Sequence, residues 1–151
     1  MKKIQFKKEI NASAQKVYET MLGLKNKASY EYWTAAFNPT STFEGSWNKG
    51  GKIYFIGTDA DGKKGGMIAR IAENIPNAFI SIQHYGMLDG DTEITEGPLV
   101  ESWVGAFENY TFSETDGVTT VSVAVDTHDD FVDYFNEKWP LALGILKGIC
   151  E

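Results

Sequence analysis

Few side chains of this sequence are of a type that could carry out acid–base or metal chemistry. It has two histidines and one cysteine, and it contains no nucleophile elbow, phosphate-binding loop or zinc-protease motif. His84, in AFISIQHYG, has the strand parity of Ile80 and Ile82, so its imidazole should share the face that buries them. It is therefore either a hydrogen-bonded histidine at the rim of the core or a polar anchor or general base facing a cavity.

The other charged candidates have simpler explanations. His128 stands beside two aspartates and is predicted to be an exposed neighbour of a helix cap. Glu101, Glu108 and Asp126 do not form a matched acid–base pair, so they are predicted to be solvated carboxylates. Arg70 is the single arginine; a surface position is the main expectation, and an inward position would make it a buried anion anchor.

The sequence predicts no metal and no cofactor, because no spacing of the HxxE kind accompanies the two histidines. With Cys150 alone, an intramolecular disulfide is excluded. The net charge is −7, and the basic residues cluster only near the start, so a nucleic-acid partner is not expected. No apolar run has the length of a membrane span or a signal peptide, which makes the cytoplasm the expected location.

The order of predicted elements indicates an α+β fold with one domain, residues 1–151. An alternating strand near Ile4–Ile10 precedes two short helices that end before the Asn38-Pro39 dipeptide. About six strands follow, among them LVESWVGAFENYTFSE, joined by short turns that favour antiparallel pairing. The segment from Met87 to Pro98 is predicted to be an exposed loop.

The chain closes on a long helix, FVDYFNEKWPLALGILKGICE, with Pro140 in its middle. Helical spacing places Trp139 and Leu143 on one apolar stripe. Leu141 and Ile145 lie almost opposite, where they would meet the first two helices, a second copy of the chain in a homodimer, or the mouth of a cavity as its lid. Because proline removes one backbone donor and crowds the carbonyl of Asn136, we expect a bend there, with Trp139 at the boundary of a pocket.

Four stretches are informative when taken together: NASAQKVYETM, GSWNKGGKIYF, ENYTFSETDGVTTVSVAVD and EKWPLALGILK. In this order they resemble the SRPBCC (START-like) superfamily over essentially the whole chain. The chain is most similar to the homologues of the heat-shock-protein-90 ATPase activator. The resemblance implies a helix-grip fold: a curved antiparallel sheet of about seven strands wraps around the long C-terminal helix, with an apolar cavity between them.

Strand parity and the resemblance together predict which residues line that cavity. They are Trp33, Phe37, Ile53, Phe55, Ile82, His84, Trp103, Phe107, Tyr110, Trp139 and Leu143. Gly105 and the Gly65-Gly66 pair suit either bulges that bend the sheet or close approach of a ligand.

Three functions remain open. The predicted interior, rich in aromatic residues and poor in catalytic ones, favours binding of an apolar or aromatic small molecule. The second is an enzyme of the cyclase or hydrolase type, in which His84 and a tyrosine such as Tyr110 act as acid and base. The third, implied by the resemblance, is stimulation of a chaperone ATPase through protein contact.

Overall fold

The structure, a computed structural model, describes residues 1–151 and has an α+β architecture of the helix-grip type. In chain order the regular elements are β1 (Lys2–Ile10), α1 (Ala14–Leu22), α2 (Lys27–Thr34), β2 (Thr42–Gly45), β3 (Lys52–Thr58), β4 (Lys64–Ile75), β5 (Phe79–Asp89), β6 (Thr92–Ile94), β7 (Phe107–Thr115), β8 (Val118–Thr127) and α3 (Val132–Cys150). Ser13 caps α1, and His128 caps a single 3₁₀ turn that precedes α3.

All eight strands form one antiparallel sheet in the order β1-β8-β7-β5-β4-β3-β2, and β6 pairs with β5. The prediction of about seven strands missed β6. The segment from Met87 to Pro98 is not simply a loop, because β5 continues to Asp89 and turns at Gly90 into β6. This hairpin was not predicted because most of its residues are exposed and several are acidic, so it lacks the alternation of apolar residues that indicates a strand.

A second difference concerns the predicted strand that begins at Leu99. Residues 98–105 form consecutive turns, in which the amides of Trp103 and Val104 donate to the carbonyl of Val100. Gly105, with φ +91°, ends these turns, and β7 begins only at Phe107. The strand alternation assumed through this segment was therefore wrong.

The three helices pack on one face of the sheet and enclose the core. On α3, Trp139, Ala142, Leu143 and Leu146 are buried, as the apolar stripe predicts. Pro140 lies on the exposed side and α3 continues through it. The carbonyl of Asn136, which loses its helical partner, is on the same exposed side and can bond to water.

Two irregularities in the pairing of β4 with β5 set the curvature of the sheet. An extra residue stands on β5 at Tyr85 and another on β4 at Ala72, and such bulges bend a sheet and increase its twist. Gly66 lies between Ile56 on one side and Leu88 on the other. A Cβ atom on Gly66 would come within 1.9 Å of the carbonyl oxygen of Phe55.

Asp126 holds the edge of the sheet together where β7 begins. Its carboxylate accepts from the amide of Phe107 at 3.0 Å and lies 3.0 Å from Nζ of Lys3. Burial alone would raise the pKa of Asp126, but these two partners outweigh burial and lower it. Asp126, considered above as a solvated carboxylate, thus has a structural role.

We expect Asp126→Asn to lower the free energy of unfolding by about 1 to 2 kcal/mol at pH 7, because a charge-assisted hydrogen bond is weakened. A carboxyl with a lowered pKa in the folded state stabilises the fold above its ordinary pKa and loses this effect as the pH falls through the folded value. Urea titrations at pH 7 and at about pH 3 should therefore show the difference from wild type shrinking in acid. A difference that is the same at both pH values would contradict this role.

Candidate functional site

Three polar side chains form a hydrogen-bonded chain on the inner face of the sheet. Nε2 of His84 lies 3.1 Å from one carboxylate oxygen of Glu108, and the hydroxyl of Tyr110 donates to the other. Glu108 is paired with Ile82 and Tyr110 with Ile80, and the two isoleucines are fully buried. Since directly opposite residues share a face, the sheet register itself places Glu108 and His84 inside.

Aromatic rings surround this polar chain. The Phe55 ring lies 5.8 Å from the His84 ring, and the Tyr110 ring lies 5.9 Å from that of Trp139. Trp139, from α3, also packs against Phe6, Trp33 and Phe37. Tyr30, from α2, packs against Trp33, Phe43, Trp47 and Phe55. The helices and the sheet together therefore make an aromatic wall around His84, Glu108 and Tyr110.

Three polar atoms in this region are buried and have no hydrogen-bond partner in the protein: Nδ1 of His84 and Nε1 of Trp47 and Trp139. The other two indoles are satisfied, since Trp33 donates to the carbonyl of Met21 and Trp103 to that of Leu99. A buried donor or acceptor without a partner costs about 1 to 3 kcal/mol. The site therefore offers unused hydrogen-bonding capacity inside an apolar enclosure.

The phenols of Tyr30 and Tyr110 remain protonated. Burial raises the pKa of Tyr110, and the negative charge of Glu108 raises it further. The pKa of Tyr30 is raised by burial first and by Glu108 second. A low-dielectric enclosure disfavours a second negative charge beside Glu108.

The structure brings together most of the residues predicted to line the cavity. Trp33, Ile53, Ile82, Tyr110, Trp139 and Leu143 belong to one buried core cluster, and Phe37 and Phe55 pack against it half-buried. His84 joins them through its contact with Phe55.

Trp103 and Phe107 do not belong to this set. Trp103 lies in the turns before β7 and donates to Leu99 within them. Phe107 is paired with Gln83, and its neighbour Glu108 points inward, so alternation places Phe107 on the outer face. The inward position of Glu108 was not predicted, because the inner face was assigned to Trp103 and Phe107. Its strand parity with Tyr110 and Phe112, two buried residues, was the signal that could have placed it inside.

The remaining polar candidates lie outside the interior. Arg70 is exposed and stacks on the Tyr85 ring at 5.2 Å. His128 is exposed, and its Nδ1 accepts from the amide of Asp130 at 3.2 Å. Glu101 is exposed in the turns before β7.

Two open cavities, of about 420 and 390 Å³, lie elsewhere on the molecule. The first is lined by polar residues of α1 and the segment leading into α2, and the second by the β3–β4 hairpin with Asn38 and the end of β5. Neither lies between the sheet and α3, where aromatic side chains pack against one another. The interior thus differs from the wide cavity expected from the sequence.

Comparison with solved structures confirms the helix-grip fold. The Aha1 dimer from Colwellia psychrerythraea has a TM-score of 0.71 and 24% identity, over 100% of this chain and 97% of that one. Protein Ms6760 from Mycobacterium smegmatis has a TM-score of 0.70 and 16% identity, over 97% and 89%. CalU16 from Micromonospora echinospora has a TM-score of 0.64 and 13% identity, over 99% and 76%.

These identities establish the fold and not an activity. No family model and no curated protein matches the sequence. None of the helices combines the length and hydropathy needed to cross a bilayer.

Proposed function

We propose that the protein binds an apolar or aromatic small molecule between the sheet and α3. The observation that carries this proposal is the set of unpartnered buried polar atoms on His84, Trp47 and Trp139 within an aromatic wall. Sites for small molecules commonly combine apolar walls with a few such polar groups. The His84–Glu108–Tyr110 chain is the polar anchor.

Entry of a ligand requires movement of side chains rather than an open channel. Phe37 and Phe135 are half-buried, and the Phe37 ring lies 5.0 Å from the Trp139 ring. Phe37 packs on Trp139, Phe135 packs against the same core cluster, and both retain access to solvent, so they are the side chains that a ligand displaces. A bound aromatic molecule replaces their ring contacts with its own.

Titration with naphthalene, followed through the indole N–H signals in nitrogen-15 NMR spectra, tests the proposal. We expect the signals of Trp139 and Trp47 to move and to saturate at ligand concentrations of roughly 0.1 to 1 mM, as for a fragment of this size. Trp103 is an internal control, since its indole is bonded within its own turns and outside the core. Native mass spectrometry of the purified protein adds a search for a co-purified ligand.

Movement of the Trp103 signal alone would indicate surface association and would overturn the proposal. The same conclusion would follow if none of the indole signals responded and no co-purified mass were detected.

General-base catalysis is the second candidate, and the contact between Glu108 and His84 favours it. A carboxylate that holds one imidazole nitrogen leaves the other with a lone pair, which is the arrangement of a base with its orienting group. Turnover of a bound compound that is lost in Glu108→Gln, with binding retained, would distinguish catalysis from storage or transport.

A homodimer is the partner that we propose beyond the ligand. One similar solved structure is a dimer, and Tyr134 and Leu141 are exposed seven residues apart on one face of α3, by 39% and 55%. Light scattering should give twice the chain mass for the wild type and the chain mass for Leu141→Glu. A monomeric wild type would contradict this association.

A further inference from the structure

The hydrogen-bonding state of His84 determines what its free nitrogen can recognise. Nε2 faces a carboxylate oxygen of Glu108 at 3.1 Å. An ionised carboxylate only accepts, so Nε2 must carry the proton and donate. In the neutral imidazole, Nδ1 then holds a lone pair and can only accept.

No protein donor satisfies this lone pair. Nδ1 of His84 is buried without a partner. The nearby hydroxyl of Tyr110 is already donated to Glu108, and the ring that packs on His84 is the apolar Phe55. The imidazole therefore lacks one donor.

An anionic ligand is disfavoured at this site because of the carboxylate of Glu108. Glu108 already places a negative charge beside the imidazole, and the chain has a net charge of −7. A second anion in this enclosure would be repelled and would lose its hydration without a positive partner other than His84.

The indole of Trp139 lacks a hydrogen-bond acceptor, whereas His84 lacks a donor. It is 3% exposed, and its N–H has no acceptor among the aromatic rings that surround it. An uncharged oxygen on the ligand would satisfy it without adding charge to the site.

We propose that the molecule bound in this interior is a neutral hydroxylated ring compound, whose hydroxyl donates to Nδ1 of His84 and which presents an oxygen acceptor to Nε1 of Trp139. This inference rests on the proposed function and specifies the chemical class of its ligand. Apolar wall contacts supply most of the affinity, and the hydroxyl supplies the selectivity.

Three probes of similar shape test this class: 2-naphthol, 2-methoxynaphthalene, which lacks the donor, and 2-naphthoate, which is anionic. Calorimetric titration of the wild type should give about ten-fold tighter binding of 2-naphthol than of the methyl ether, the value of one hydrogen bond to a buried acceptor. The anion should bind most weakly of the three. In nitrogen-15 spectra, 2-naphthol should shift the signal of the unprotonated His84 nitrogen.

His84→Phe removes Nδ1 and keeps an aromatic ring of similar size, so it should bring 2-naphthol and its methyl ether to equal affinity. His128→Phe is the matched control, since it makes the same change at the other histidine, which is exposed; it should keep the ten-fold preference. The comparison of probes on the wild type remains informative even if His84→Phe does not fold.

Equal affinity of the wild type for 2-naphthol and the ether, or preference for 2-naphthoate, would overturn this inference and leave the proposed function standing. Failure of naphthalene and all three probes to bind would overturn both.

Discussion

Trp139→Ala is expected to lower the free energy of unfolding by about 3 to 5 kcal/mol, the usual cost of removing a buried large aromatic side chain. Trp139 is 3% exposed and contacts rings from β1, α2, the segment after α2, and β7. Its removal leaves a void where α3 meets the sheet, and the close-packed neighbours can fill it only in part.

Urea unfolding followed by circular dichroism measures this loss. Tyr32→Ala is a matched control, because Tyr32 is an aromatic residue on α2 that is 62% exposed, and its truncation should change stability by less than about 0.5 kcal/mol. Equal effects of the two substitutions would show that Trp139 does not anchor α3.

Gly66→Ala is expected to lower the free energy of unfolding by a similar amount, about 3 to 5 kcal/mol, from backbone strain and overpacking together. Gly66 has φ +154°, and an added Cβ would lie 1.9 Å from the carbonyl oxygen of Phe55, which is backbone and cannot rotate away. Relief requires β3 and β4 to separate locally.

Gly65→Ala is the neighbouring control for the same measurement. A Cβ at Gly65 would make an ordinary contact of 3.5 Å with the carbonyl of Leu88, so stability should change by less than about 1 kcal/mol. If Gly65→Ala were the more harmful of the two, close approach of β3 would not be the reason for glycine at position 66.

The fold could be predicted because its signals are local and repeated. Alternation along β1 and the apolar stripe through Trp139 each specify one element. Their order along the chain then permits few topologies. The resemblance to a family with the helix-grip fold implied the same order of elements over essentially the whole chain.

The candidate site was less predictable because it depends on which residues of β7 face inward, and that depends on where β7 begins. The parity of Trp103 with Phe107 holds only if a strand runs between them, and turns that end at Gly105 break it. Alternation therefore had to be counted back from Tyr110, which places Glu108 inside. A single shifted residue reverses every face assignment along a strand.

The packing of the interior could not be read from the sequence either. Apolar residues on the inner face are expected whether the space between sheet and helix is open or filled. In the folded structure the rings of Trp33 and Tyr110 pack against Trp139 in that space. Unpaired atoms such as Nδ1 of His84 are a property of that packing and have no sequence signature.

The edge pairing of β1 with β8 has a consequence for the way the chain folds. Ile4 is aligned with Val125 and Ile10 with Thr119, so the two strands are separated by nearly the whole chain. Contacts between such distant segments carry a high loop-closure entropy and slow folding. During synthesis β1 must wait for β8 to leave the ribosome, and until then its unpaired edge is open to other chains. The four lysines of β1 (Lys2, Lys3, Lys7 and Lys8) supply the positive charge that keeps such an edge from pairing with a second nascent copy.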